Sequence, residues 1–189
     1  MSEEINPAQS GQPEMDEEMY EFVQQLFHLA RAGDTPRLKE IFAMGFAAPN
    51  MRDGNGNSLL MLASYNGHHD AARLLLERGG DADLANDRGQ IPLAGAAFKG
   101  DTEMARLLME HGADVNARSP DGKTALMFAA MFDRLEIIEL LLAHGANPSL
   151  QAGDGMTALS LARAMEAKSA AARLSLAESL SMNLLITLS

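Results

Sequence analysis

An all-α solenoid of stacked helix-turn-helix units with β-turn fingers is the fold that this sequence predicts, on three observations. Gly56, Gly89, Gly122 and Gly155 fall at a constant interval of 33 residues, and Leu60, Leu93, Leu126 and Leu159 keep the same interval behind them. Each glycine also opens a similar phrase: Gly-Asn-Ser-Leu-Leu from Gly56, Gly-Gln-Ile-Pro-Leu from Gly89, Gly-Lys-Thr-Ala-Leu from Gly122 and Gly-Met-Thr-Ala-Leu from Gly155. Self-similarity at such a period marks a supersecondary unit that cannot bury its apolar face alone, so neighbours stack.

Taken in order, Phe22 to Asn50 reads as a degenerate first unit, with Leu29-Ala30-Arg31-Ala32-Gly33-Asp34 closing one helix and Ile41-Phe42-Ala43-Met44-Gly45 closing a second. The next three units each carry a second helix marked by an apolar triplet: Leu74-Leu75-Leu76, Leu107-Leu108-Met109 and Leu140-Leu141-Leu142. Apolar residues at three- and four-residue spacing cover one helix face, and a glycine just past His111 and His144 suits the left-handed residue that ends a helix. The last unit keeps its first helix but has Glu166-Ala167 at the turn and no closing glycine. Both ends therefore read as caps, with one side facing water. The units run approximately 20–52, 53–85, 86–118, 119–151 and 152–183, so the domain is 19–183, between an acidic leader 1–18 and an apolar tail 184–189.

These phrases resemble the ankyrin repeat, whose pattern is a Gly-x-Thr-Pro-Leu-His turn, an Ala-Ala helix, a Gly-His turn, a Leu-Leu-Leu helix and a Gly-Ala-Asp loop. The residues that carry the likeness are Gly67-His68 with Gly79-Gly80-Asp81, Gly100-Asp101 with Gly112-Ala113-Asp114-Val115-Asn116, and Gly145-Ala146-Asn147. The departures are specific. Met61, Ala94, Met127 and Ser160 stand where the pattern has histidine, and only Ile91-Pro92-Leu93 keeps the proline. Local stability is therefore expected to rest more on packing than on a Thr-to-His bond.

Composition excludes several function classes. The chain has no cysteine, so disulfides, thiol catalysis and cysteine-held zinc do not arise. Its net charge of -11 leaves no basic stripe to neutralise phosphates, so nucleic acid is not expected as a partner. No apolar run spans a bilayer and no signal peptide is legible, which predicts a cytoplasmic protein without a membrane partner. Through Glu21 the chain has seven acids and no base, with Pro7, Gly11 and Pro13 among them. The leader 1–18 is expected to stay disordered, as a solvated leader or as an arm that competes with a partner or steers a basic one.

No catalytic, cofactor-binding or metal-binding residues are predicted. His68 is expected to make a turn hydrogen bond and His69 beside it to face solvent. His111 and His144 lie at the ends of equivalent helices, roughly 10 Å apart by ordinary helix spacing, too far to share a metal ion. Asp53-Gly54-Asn55-Gly56-Asn57 resembles the opening of a calcium loop, but Ser58 and Ser64 occupy the places that need Gly and a bidentate Glu. Asp53 and its neighbours are better read as turn residues that hydrogen-bond locally. Phosphate-cradling glycine motifs are absent.

The resemblance implies a site as well. Ankyrin partners usually meet the concave face, built from the finger tips and the exposed side of each first helix. The most exposed positions of those helices are Tyr65 and Asn66, Phe98 and Lys99, Met131 and Phe132, Ala164 and Met165. Stacking would align them as two ladders, Tyr65-Phe98-Met131 and Lys99-Phe132-Met165. Arg88, Gln90, Asp121, Lys123 and Met156, with Asn55, Asn57 and Asp154, form a rim at the finger tips. Two readings stay open: these side chains extend the core, or they form an interface, since exposed aromatics anchor partners and methionine adapts to them.

The sequence thus predicts a non-catalytic module, monomeric when free, that binds a folded protein. Resemblance to small free-standing bacterial members implies an accessory, inhibitory or immunity-type role. A self-assembling structural protein is the alternative that Leu184-Leu185-Ile186 supports. An enzyme working between repeats lacks both a nucleophile with its base and a metal cluster.

Overall fold

The computed structural model describes residues 17–45 and 47–187, with side chains described through residue 179. Most of the acidic leader, Leu188 and the packing of Leu184 to Ile186 lie outside the described residues.

Among the described residues, ten helices follow one another as five pairs. The first helices are α1 (Glu17–Ala32), α3 (Leu59–Tyr65), α5 (Pro92–Lys99), α7 (Ala125–Met131) and α9 (Ala158–Ala164). The second helices are α2 (Thr35–Ala43), α4 (His69–Glu77), α6 (Thr102–Glu110), α8 (Leu135–Ala143) and α10 (Lys168–Thr187). Each first helix packs on the next first helix, and each second helix on the next second, giving two layers. Contact is closer along the first-helix row. The array therefore bends with first helices and fingers on its inner side.

Short helices of seven to nine residues hold together here because their ends are capped and their faces buried. Ser58, Thr124 and Thr157 accept the N–H of Met61, Met127 and Ser160. Asp34 and Asp101 do the same for the second helices α2 and α6. At α5 no side chain caps, but Pro92 fills the first turn, where an N–H would lack a partner anyway. The Ser and Thr of the turn phrase thus keep their capping role without a following histidine. Gly112 and Gly145 close α6 and α8 at φ 91° and 88°, the left-handed values that the sequence requires there.

One continuous core runs between the layers. Leu60, Leu93 and Leu126 on the first helices and Leu75, Leu108 and Leu141 on the second are almost wholly buried. Alanines fill the space where helices approach most closely, among them Ala63, Ala97, Ala130 and Ala162. Among the described residues no buried side-chain nitrogen or oxygen lacks a partner. Where the last turn departs from glycine, Glu166 still adopts φ 57°, and Asp133 takes φ 52° while its carboxylate accepts the Ala170 N–H at 2.7 Å. The left-handed turn is kept, and Asp133 ties the final helix to the repeat before it.

Side chains at another 33-residue interval tie neighbouring loops together. Asn50 accepts the Asp81 N–H at 2.8 Å and donates to the Gly79 carbonyl at 3.3 Å. Asn116 likewise accepts from Asn147 at 2.8 Å and donates to Gly145 at 3.2 Å. Between them stands Asp83, which accepts the Asp114 N–H at 2.9 Å but has no amide to offer the Gly112 carbonyl. Burial pushes the Asp83 carboxyl up, opposed by the Asp114 N–H and reinforced by the charges of Asp114 and Asp81. Since its folded-state value exceeds the unfolded one, ionisation destabilises the fold. The cost is absent below the ordinary value of 3.8 and develops as pH rises through the raised one. Asp83→Asn is expected to stabilise the domain by about 1 kcal/mol at pH 7, the net yield of one hydrogen bond. Thermal unfolding at several pH values checks this: the part of the gain that comes from removing the carboxylate charge should vanish below about pH 4, and the part from the added amide donor should remain.

Candidate functional site

The fingers between repeats are five-residue hairpins. Asp53, Asn86, Ser119 and Ala152 each donate a backbone N–H to the carbonyl four residues on, and accept from the intervening glycine. Their side chains brace the loop. Asp53 accepts from the N–H groups of Asn55 and Asn57 at 2.9 Å, as well as from the Asn57 amide, and pairs with Arg31 at 3.5 Å. Burial opposes ionisation of Asp53, but these hydrogen bonds and Arg31 hold its carboxyl below the usual value. Its oxygens are used inside the turn, as the sequence indicates. Asn86 accepts from Arg88 and Gln90 and donates to Asn57 and to the Gln90 side chain, joining two fingers.

At the next finger, a hydrogen bond from Lys123 and a second from the Ser119 hydroxyl pull the Asp121 carboxyl down to about 2. The Asp121 carboxylate thus stays ionised across the physiological range. The backbone joins fingers as well, from Asp87 to the Asn55 carbonyl at 3.2 Å and from Gly153 to the Asp121 carbonyl at 2.8 Å. A braced row of loops overhangs the first helices.

On the first helices, Tyr65, Phe98, Phe132 and Met165 are between 38% and 52% exposed, large for apolar side chains on a folded domain. They are not merely core, although Met131 is half-buried against it. The expected ladders need correction, because the side chains lean along the array and meet at an offset of 34 rather than 33. The Lys99 Nζ stands 4.0 Å from the Tyr65 ring centroid and donates to the Tyr65 carbonyl. Phe98 meets Phe132 edge to face, with centroids 4.7 Å apart and ring planes at 78°. Both arrangements place positive density against an aromatic face, the preferred geometry. Asn66 turns back to the Leu62 carbonyl at 2.7 Å, capping its own helix.

Between fingers and helices lies a cleft of about 420 Å³. Tyr65, Phe98, Arg88, Gln90 and Asp121, all expected site residues, line it together. Asn66, Lys99, Met131, Phe132, Met165, Lys123 and Met156 lie outside its lining, with Met156 packed on the core. The sequence reading passed over the floor, made by Met61, Ile91, Ala94, Gly95 and Phe128. A signal was available: Leu62, Gly95, Phe128 and Leu161 occupy equivalent places, and only the second lacks a side chain.

His68, His69, His111 and His144 are structural in their contacts. His68 Nε2 lies 3.0 Å from the Arg31 carbonyl of the preceding repeat. His111 and His144 reach back to the Leu107 and Leu140 carbonyls at 2.9 and 2.8 Å, closing their helices. His69 does not face solvent as expected. Its Nε2 lies 2.9 Å from Asp101, because Asp101, the cap of α6, falls beside the start of α4 when the repeats stack. Among the described residues no three His, Asp or Glu side chains gather as a metal site, and no helix is long and apolar enough to cross a membrane.

Comparison with known proteins agrees with this architecture. A family model described as ankyrin repeats (3 copies) matches residues 26–119 and 112–179. An ankyrin repeat protein of Pseudomonas aeruginosa is 54% identical over 65 residues, 34% of this chain and 37% of that one. Human ankyrin repeat domain-containing protein 29 is 40% identical over 58 residues, 31% of this chain and 19% of its own length. The aligned stretches thus span well under half of either relative. With the family matches together covering residues 26–179, on paired helices and braced fingers, the chain belongs to the ankyrin repeat family.

Proposed function

We propose that the chain is a non-catalytic, cytoplasmic module, monomeric when free, that holds a folded protein partner against its first helices and fingers as an accessory, inhibitory or immunity-type factor. Ankyrin repeats are in general protein–protein interaction modules. The observation that carries the reading for this chain is the exposed row Tyr65, Phe98, Phe132 and Met165 beside an apolar cleft. Exposed aromatics fixed on rigid helices lose little freedom when covered, which is what an anchor residue requires. The partly polar rim of Arg88, Gln90 and Asp121 supplies hydrogen-bonding groups at the edge, as interfaces do.

The test compares two faces of one folded protein. A partner isolated from the source cell, once purified, should lose affinity for Phe98→Ala and Phe132→Ala and keep it for Glu77→Gln and Glu110→Gln, exposed on the second helices. Loss confined to the second-helix variants would overturn the reading. Sedimentation of the parent as a dimer or larger species would favour the self-assembling alternative.

A further inference from the structure

We propose that Lys99 is a positioning residue of the groove: it fixes Tyr65 of the preceding repeat in one pose before a partner arrives, and it acts on binding through that ring rather than by touching the partner. The consequence for binding rests on the reading above, while the clamp itself belongs to the free protein. Tyr65 is the last residue of α3, so its carbonyl lies in the turn that has no acceptor role left within the helix. The Lys99 Nζ donates to that carbonyl and stands 4.0 Å from the centroid of the Tyr65 ring. One ammonium thus holds both the backbone and the side chain of one residue. The ring is also seated on α5 itself, since a Cβ built on Gly95 would lie 3.4 Å from Tyr65 Cδ2, an ordinary contact distance. Gly95 and Lys99 are four residues apart and share a face of α5, so bare backbone and ammonium receive the ring together.

The same arrangement recurs one repeat on with different chemistry. Phe98 is the counterpart of Tyr65, and Phe128 and Phe132 are the counterparts of Gly95 and Lys99. There Phe98 rests edge to face on Phe132, one apolar ring against another. At Tyr65 the seat is a glycine and a cation, and an exposed lysine gives up the freedom of a long side chain to make it. Tyr65 lines the cleft and Lys99 does not. The ammonium therefore works from outside the cleft, on a residue still 45% exposed that a partner can cover. Of the three staggered χ1 wells, about two are open to a residue in a helix. Without the clamp the pose that meets a partner would be populated about half the time or less, and the apparent affinity falls by that fraction.

NMR of the free, isotope-labelled protein gives the first readout. Lys39, Lys123 and Lys168 serve as internal references, and the ε-methylene protons of Lys99 should lie upfield of theirs, shifted by the ring current of Tyr65. The χ1 couplings of Tyr65 should report one rotamer in the parent and in Lys99→Arg, which keeps the charge and a donor, and averaged rotamers in Lys99→Ala. Helical circular dichroism should be the same in all three, since Lys99 is exposed at the end of α5 and alanine is a good helix former. With the partner purified from the source cell, Lys99→Ala should weaken binding about two- to threefold, Lys99→Arg should restore it, and Lys99→Ala should cost nothing more once Tyr65→Ala is present. The proposal is overturned if the Lys99 ε-protons resonate with those of the other lysines, or if Lys99→Ala leaves the Tyr65 couplings unchanged. It is equally overturned if Lys99→Ala costs the same affinity in the Tyr65→Ala background, which would make Lys99 a direct contact. Parent-like binding by both Phe98→Ala and Phe132→Ala would instead remove the groove, and the couplings of the free protein would still decide the clamp.

Discussion

Leu107→Ala should lower the stability of the whole domain by about 2–5 kcal/mol, the range for truncating a fully packed leucine. Leu107 lies on α6, in the middle of the array, and is 2% exposed. Part of the cost is the lost transfer of its methyl groups out of water, and the rest is the cavity left between layers that relax only partly. Stacked repeats are held by nearest-neighbour interfaces, so damage in the middle weakens the coupling of the two halves as well as one unit. Leu135→Ala is the matched control, since Leu135 is 40% exposed and the same chemistry there should cost less than about 0.5 kcal/mol. Urea unfolding followed by circular dichroism measures both. Equal midpoints for the two variants would mean that the register of the second helices is wrong.

How much of this was legible in the sequence follows from which forces repeat. Helix pairs and the first-helix leucines recur every 33 residues, so each is written at least four times and errors in one copy are outvoted. His69 was misread because its partner, Asp101, is 32 residues away and belongs to the next unit. A single phrase gives no sign of that pair; only the stacked array brings cap and helix start together. The Asn50, Asp83 and Asn116 ties are likewise contacts between units, visible once loops are superposed.

In the candidate groove the exposed aromatics were legible as types in tolerant positions, but their pairing was not. A ladder drawn at the repeat interval joins Phe98 to Met131, whereas the rings lean by one residue and join Phe98 to Phe132. Side-chain direction on a helix decides this, and the period carries no information about it. The cleft was missed for the opposite reason. Its lining includes Gly95, where the equivalent helices carry Leu62, Phe128 and Leu161, and an absent side chain leaves nothing in the sequence to read as a contact.

Phe98→Ala is expected to weaken binding of the native partner by about 2 kcal/mol or more, roughly thirtyfold, if the groove is the interface. Phe98 is 40% exposed, touches Phe132, and lines the cleft, so it sits where a partner would complete its burial. Phe132→Ala should cost a similar amount. The double variant should lose less than the sum, because each ring holds the other edge to face and the first truncation already frees the second. Such aromatic pairs couple by about 0.5–1.5 kcal/mol, and the shortfall should fall in that range. Because both rings stand on the surface of helices whose core faces are untouched, the variants should keep their helical circular dichroism and most of their stability. Titration calorimetry with the purified partner gives the four affinities. Full additivity of two large losses would place the rings in separate contacts, and parent-like binding by both single variants would end the case for this face.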